Sequence, residues 1–201
     1  RFLGIFSSNQ DEFIKVRVAS LARLSRSREP GKILLMGGLS PQEALHRVNN
    51  SVAKGQAAFR ETYKSVLAAM QDQGIRVRNE TQLTPGQENF CRDYFAQVIN
   101  PKLAPLMLTK SANLPFLQDS HIYHAVKMQP ASGNKNRNAI LRIPVSAECP
   151  RFVEMPSPAG CSDIIFVDDI IRLCLDDIFF MFNYDAISAY TFKVMRDAEL
   201  T

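Results

Sequence analysis

Few residues in this sequence can ligate a soft metal or carry a covalent intermediate: among 201 there are three histidines and four cysteines. Cys91, Cys149, Cys161 and Cys174 contain no CxxC pair and no metal-ligand spacing, the pattern of scattered free thiols in a reducing compartment. His46, His121 and His124 stand apart from any Ser, Cys or carboxylate arrangement that would complete a triad in sequence, so only spatial neighbours could supply one. Long apolar runs are missing as well; none approaches the roughly 20 residues needed to cross a bilayer. The apolar opening, residues 1–6, is too short for a signal peptide, and no small-residue cleavage site follows it. Excess charge of one sign is slight, a net +4, which suits an anionic partner without indicating one. These shortages point to a cytoplasmic protein with no transmembrane segment, membrane association being left open.

What is present is the balance of an ordinary globular chain, 46% hydrophobic and 22% charged, with length for one domain or two small ones. Both ends read as internal: there is no initiator Met, and the chain stops just after a strand-like run, so a piece of a longer protein is expected. The first half is periodic as helix. Residues 11–27 place Phe13, Ile14, Val18, Leu21 and Leu24 in one apolar stripe at about 100° per residue. Lys15, Arg23 and Arg26 fall opposite. Arg17 falls inside the stripe, where it either snorkels out or serves an interface or ligand. Residues 28–39 read as a loop, and Ser40-Pro41-Gln42-Glu43 is a capping box with Pro at the first helical position. A long helix follows to about residue 73 with Leu45, Val48, Val52, Phe59, Tyr63, Val66 and Met70 on one side, expected to form an antiparallel helical hairpin.

Gly74 reads as a stop. Beyond it residues 75–78 alternate as a short strand, and Thr84-Pro85-Gly86-Gln87 is a second capping box opening a helix to about residue 99. Strand character marks residues 121–128, 139–143, 152–155 and 186–195, with hairpin-loop chemistry at residues 133–138. One more helix is expected from Asp168, as its N-cap, to about residue 180. The predicted fold class is α+β: a helical domain over 1–74, then an α+β domain with an antiparallel sheet over 75–201.

Candidate chemistry is thin. Asp168-Asp169 and Asp176-Asp177 invite a paired-aspartate metal site, but eight residues of helix separate them by roughly 12 Å. The loop at 133–138, with Lys135 and Arg137, reads as a hairpin tip before it reads as a phosphate cradle. His121 and His124 flank a strand dipeptide and fall on opposite faces. The face carrying Lys15, Arg23 and Arg26 is either solvated or a polyanion track.

Several segments, in order, resemble the bacterial polyphosphate kinase family. Residues 1–19, Arg1-Phe2-Leu3-Gly4-Ile5-Phe6-Ser7-Ser8-Asn9-Gln10-Asp11-Glu12-Phe13-Ile14-Lys15-Val16-Arg17-Val18-Ala19, resemble its signature of the form RFLGIYSNNLDEFYKVR. Asn79-Glu80-Thr81-Gln82-Leu83 resembles the link into that family's head domain. Pro150-Arg151-Phe152-Val153, Leu173-Cys174-Leu175-Asp176-Asp177-Ile178-Phe179 and the run from Tyr190-Thr191-Phe192 to Arg196-Asp197-Ala198-Glu199 resemble three later segments. The resemblance implies a reversible transfer of the terminal phosphate of ATP to polyphosphate through a phosphohistidine. It also implies ATP or ADP and polyphosphate as partners, no nucleic acid, and a homodimer or higher homo-oligomer built partly by the head domain.

In that family the nucleophile and magnesium ligands lie in C-terminal domains with an HxK-type motif. His124-Ala125-Val126-Lys127 puts Lys one position late, so no catalytic or metal residue is expected here, and this piece alone is expected to be inactive. One residue carries over: Asn9, as a nucleotide contact. It also reads as an N-cap, with Glu12 three residues on. With Asp11 and Glu12 in the first turn repelling phosphates, Asn9 is expected to meet base or ribose. Ser8 and Gln10 depart from the family form beside it. Met195 departs in the last segment, with no consequence we can derive. The alternative reading is a non-catalytic assembly module, or a polyanion- or nucleic-acid-binding module using its basic face.

Overall fold

The computed structural model describes residues 1–27, 34–35, 37–109, 116–130 and 136–197. By contacts the chain forms two compact units, Arg1–Ala68 with Met195–Thr201, and Ala69–Val194. These bounds differ from a division at residue 74, since the last turn of the long helix groups with the second unit and the chain's end with the first.

In the first unit, α1 (Phe2–Phe13) runs through a π-helical turn (Ile14–Val18) into α2 (Ala19–Ser25). The helix therefore begins nine residues before the expected start at residue 11. Extending an existing helix costs far less than nucleating one, and Phe2, Leu3, Ile5 and Phe6 continue it upstream. Asn9 is consequently inside α1 and caps nothing, a correction to the cap reading. The α3 helix (Pro41–Asp72) has 32 residues, about 48 Å at the usual rise. Its start is the expected capping box: Ser40 N–H donates to Glu43 Oε2 (2.9 Å), and Glu43 N–H to Ser40 Oγ (3.3 Å). The hairpin is antiparallel, for the Gln42 amide donates to the Ser25 carbonyl near the turn, while Phe6 stacks on Phe59 with centroids 5.8 Å apart. Neither α1 nor α2 has a fully buried side chain, and α3 has only Pro41. Asp197 returns to this unit by pairing with Arg23 at 3.3 Å.

The second unit holds the hydrophobic core. Gly74, at φ +79°, ends α3 and turns the chain into β1 (Ile75–Arg78). Thr84 then caps α4 (Pro85–Tyr94) through the expected reciprocal bonds with Gln87. β2 (Leu106–Leu108), β3 (Ile122–Gln129), β4 (Arg137–Arg142) and, near the end, β7 (Ala186–Lys193) form an antiparallel sheet in the order β2-β4-β3-β7. β5 (Phe152–Met155) and β6 (Ser162–Phe166) join β1 in a second sheet, ordered β1-β6-β5, in which β1 and β6 are parallel. Between the sheets' strands come α5 (Val167–Leu173) and α6 (Leu175–Ile178). Ile165, Ile170, Ile171, Leu141 and Phe179 from these elements are buried with Cys91, Phe95 and Ile99 of the α4 segment.

The fold class is the expected α+β, with three differences of detail. The helix expected over 168–180 is two short helices broken at Cys174. Phe166, still extended, is the residue before the first of them, so Asp168 is the second residue of its first turn and is not the cap. β2 and β6 are strands that the alternation did not show; the apolar pattern of β6 is broken by Asp163, whose burial depends on distant partners. The hairpin tip expected at 133–138 falls largely outside the described residues.

Candidate functional site

The helical unit carries a groove of about 670 Å³ between α1 and α3. Phe6, Asn9, Gln10 and Phe13 line it from α1, and Arg47, Val48, Ser51, Val52 and Gly55 from α3. Both sets recur at three- and four-residue steps, so each is one face of its helix. Phe6 packs over Gly55, where a methyl group would lie in ordinary contact, 3.4 Å from Phe6 Cζ. The rings of Phe6 and Phe13 remain about 40% exposed, forming an apolar wall that the described residues do not fully cover. Asn9 is exposed on this wall, and its side-chain amide has no hydrogen-bond partner among the described residues. It therefore offers both a donor and an acceptor into an otherwise apolar slot. Arg47 is the only charged side chain in the lining among the described residues.

The groove contains Asn9, singled out from the sequence, and Arg47, which was not. The available signal was a cation bordering the stripe of Leu45, Val48 and Val52, which looks the same as any solvated helix flank. Gln10, noted as a departure, faces the groove beside Asn9, and Ser8 is exposed. Arg17 is exposed and does not line it. Lys15 lines a smaller hollow with Val18, Met195 and Asp197, while Arg23 pairs with Asp197, so the cations of that face have several surroundings.

In the second unit the sequence candidates are engaged separately. Asp168 accepts from Arg151 at 3.5 Å, Asp169 from Arg172, Asp176 from the Tyr184 hydroxyl and Asp177 from Arg92. Among the described residues no group of three or more His, Cys, Asp or Glu side chains could hold a metal ion. His124 is fully buried, with Nε2 2.9 Å from the Asp168 carbonyl oxygen and Nδ1 3.2 Å from the Thr191 hydroxyl. Burial pushes its pKa down despite the Asp168 carbonyl. Burial also lifts Asp169 to about 6, against the pull of Arg172. The buried thiols of Cys91 and Cys174 are pushed up to about 11 and about 12, which makes them inert core residues.

A second polar cluster centres on Asp163, whose side chain is 2% exposed. Arg76 grips it with two bonds of 2.7 Å, and Arg78 and Gln87 add donors at 3.3 and 2.9 Å. Burial alone would raise this carboxyl; the Arg76, Gln87 and Arg78 donors outweigh it and hold the group below the usual carboxylate range.

The family model for the "Polyphosphate kinase N-terminal domain" matches residues 1–78, and that for the "Polyphosphate kinase middle domain" matches residues 86–201. A polyphosphate kinase of Escherichia coli (strain K12) is 39% identical over 99% of this chain and 28% of its own length. One from Vibrio cholerae is 38% identical over the same shares. The crystal structure of polyphosphate kinase from Porphyromonas gingivalis superposes with a TM-score of 0.82 at 29% identity, covering 100% of this chain and 29% of that one. The chain thus spans less than a third of the length of these relatives.

Proposed function

As this chain belongs to the polyphosphate kinase family, we propose that it supplies the nucleotide-contacting part of an enzyme that reversibly transfers the terminal phosphate of ATP to polyphosphate. The observation that carries this reading is the α1–α3 groove, an apolar slot walled by Phe6 and Phe13 with the unpaired amide of Asn9 in it. A purine is flat, apolar on its faces and lined at its edge by donors and acceptors, which is the complement of such a slot. Because Asn9 lies inside α1, no helix N-terminus stands at the slot to draw phosphates to it. Base or ribose is the portion Asn9 meets, and the phosphate tail leads away toward catalytic residues outside this chain.

The phosphohistidine and the magnesium ligands belong to that outside portion. His124 is buried against the Asp168 carbonyl and Thr191 and is closed to a phosphoryl donor. The described residues offer no group fit to hold a metal, so no step is assigned through one. In the second unit Phe180, Met181 and Tyr190 are 67–80% exposed, and such exposed apolar side chains support a role in self-assembly. The nucleic-acid-binding alternative is disfavoured by the basic face itself, since Arg23 is already paired with Asp197.

The test is Asn9→Ala in the full-length enzyme. A raised Michaelis constant for ATP with unaltered thermal stability supports the reading; an unchanged constant overturns it.

A further inference from the structure

Arg76 and Arg78 stand two residues apart on β1 and therefore on one face of it. They line a groove of about 350 Å³ in the second unit together with Gln82, Thr84, Pro156 and Ser157. Asp163 at its floor is the only acidic residue of the lining among the described residues. Its two oxygens already accept four bonds: Oδ1 from Arg76 Nε and Arg78 Nε, Oδ2 from Arg76 Nη2 and Gln87 Nε2. A carboxylate has about four acceptor sites, so this one is saturated. One negative charge meets two positive ones, and the groove is left cationic.

The two arginines are not equivalent. Arg76 is bound in a bidentate grip that by itself neutralises Asp163. Arg78 makes one 3.3 Å bond through Nε, and its two terminal amino groups have no partner among the described residues. Its side chain is 31% exposed. A guanidinium fork open on its outer edge matches two oxygens of a phosphate. Among the described residues the lining contains no aromatic ring, so it offers a phosphate contact and no platform on which a nucleobase could stack.

We propose that this groove is an anchoring subsite for linear polyphosphate, with Arg78 as its principal ligand and Arg76 as the second cation. The groove's preference for phosphate oxygens comes from its own geometry; the choice of polyphosphate as the anion rests on the function proposed above. The subsite lies in a different unit from the Asn9 groove.

The test reads the site locally, by hydrogen–deuterium exchange of the full-length enzyme with and without a sodium polyphosphate of defined length. Protection of residues 76–87 and 156–163 is expected, with Arg78→Ala requiring roughly tenfold more polyphosphate to reach it, the effect of one lost charge-assisted bond. Arg78→Lys, which keeps the charge and loses the fork, should fall between the two. Asp163 retains Arg76 and Gln87 in both variants, so their melting temperatures and their exchange without ligand should match the parent. Absence of protection, equal protection in Arg78→Ala, or equal protection by single-stranded DNA would overturn the subsite. Synthesis of polyphosphate from ATP is assayed in parallel. Synthesis without local protection removes this subsite alone; protection without synthesis removes the proposed function.

Discussion

Asn9 lies inside α1 with its amide unpaired, so its replacement separates recognition from stability. Alanine is the better helix former there by at most about 0.7 kcal/mol, and Asn9→Ala should leave the melting temperature unchanged or slightly raised. Loss of one hydrogen bond of about 0.5–1.5 kcal/mol should raise the Michaelis constant for ATP a few-fold to tenfold. Asn9→Asp, without the amide donor, should do the same. Asp163 makes the opposite case. Asp163→Ala leaves Arg76 and Arg78 without their counter-ion at 23% and 31% side-chain exposure. Solvent takes up part of that charge, so the cost should lie near the low end for a broken buried pair, about 3 kcal/mol by denaturant titration. Asp169 and His124 oppose each other in acid. Asp169, raised to about 6 by burial, takes up a proton in the native state before the unfolded chain does, and so adds stability as pH falls from 7 through 6. His124, lowered by burial, lets the unfolded chain take the proton first, and so removes stability as pH falls below about 6.5. The stability difference between the parent and Asp169→Asn should therefore grow in the parent's favour from about pH 7 to about pH 5, measured by urea titration at each pH. A flat or reversed difference would remove Asp169 from the pH response.

At the scale of elements, two local devices set the ends of helices in ways that can be measured. Gly74 ends α3 at φ +79°, and a Cβ there would stand 2.7 Å from the Gly160 carbonyl oxygen. The left-handed backbone alone costs a non-glycine residue about 1–2 kcal/mol, and the collision is with backbone that cannot swing aside. Gly74→Ala should thus destabilise the second unit by about 2 kcal/mol or more, and loss of less than 0.5 kcal/mol would contradict the geometry. Thr84 accepts from the Gln87 N–H at 3.3 Å, and Gln87 answers through the Thr84 N–H. Thr84→Ala should cost about 1 kcal/mol, with Thr84→Ser recovering most of it. Gln87 also reaches Asp163 and the Pro156 carbonyl, so the start of α4 is tied to β6 and not only to its own first turn.

At the scale of the molecule, the two units differ in how they are stabilised. The second has a contiguous core; the first is a helical hairpin with Pro41 as its only buried residue among those described. Hairpins of that kind need a further apolar surface, and Phe2, at 84% exposure, is the side chain of α1 with most left to cover. The 201-residue chain is expected to make no polyphosphate from ATP, because none of its three histidines has the setting of a phosphoryl carrier. His46 bonds to Asn50 and His121 to the Asp119 carbonyl, while His124 is buried. Acid-labile labelling of any of the three by ATP would overturn that expectation.

Family and fold class were both legible from residues alone, as were the capping boxes at Ser40 and Thr84, the stop at Gly74 and the strand at residues 152–155. All of these depend on neighbours a few positions apart: a hydroxyl reaching a nearby amide, a positive φ, a period of two or four, a motif in order. What only the tertiary structure decided involves partners far away in sequence. Asn9 reads locally as a cap, and it is the α3 face from Arg47 to Gly55, some forty residues on, that makes it a groove residue. Asp163 looks like a solvent-facing interruption of a strand, because nothing nearby reveals the arginine 87 residues away that permits its burial. β6 was missed for the same reason, and with it the parallel pairing to β1 that lines up Arg76 and Arg78. Arg47 joined the site only when α3 packed against α1. Local backbone chemistry is written within one turn of chain, whereas desolvation of a charge is decided by whatever the fold brings to it.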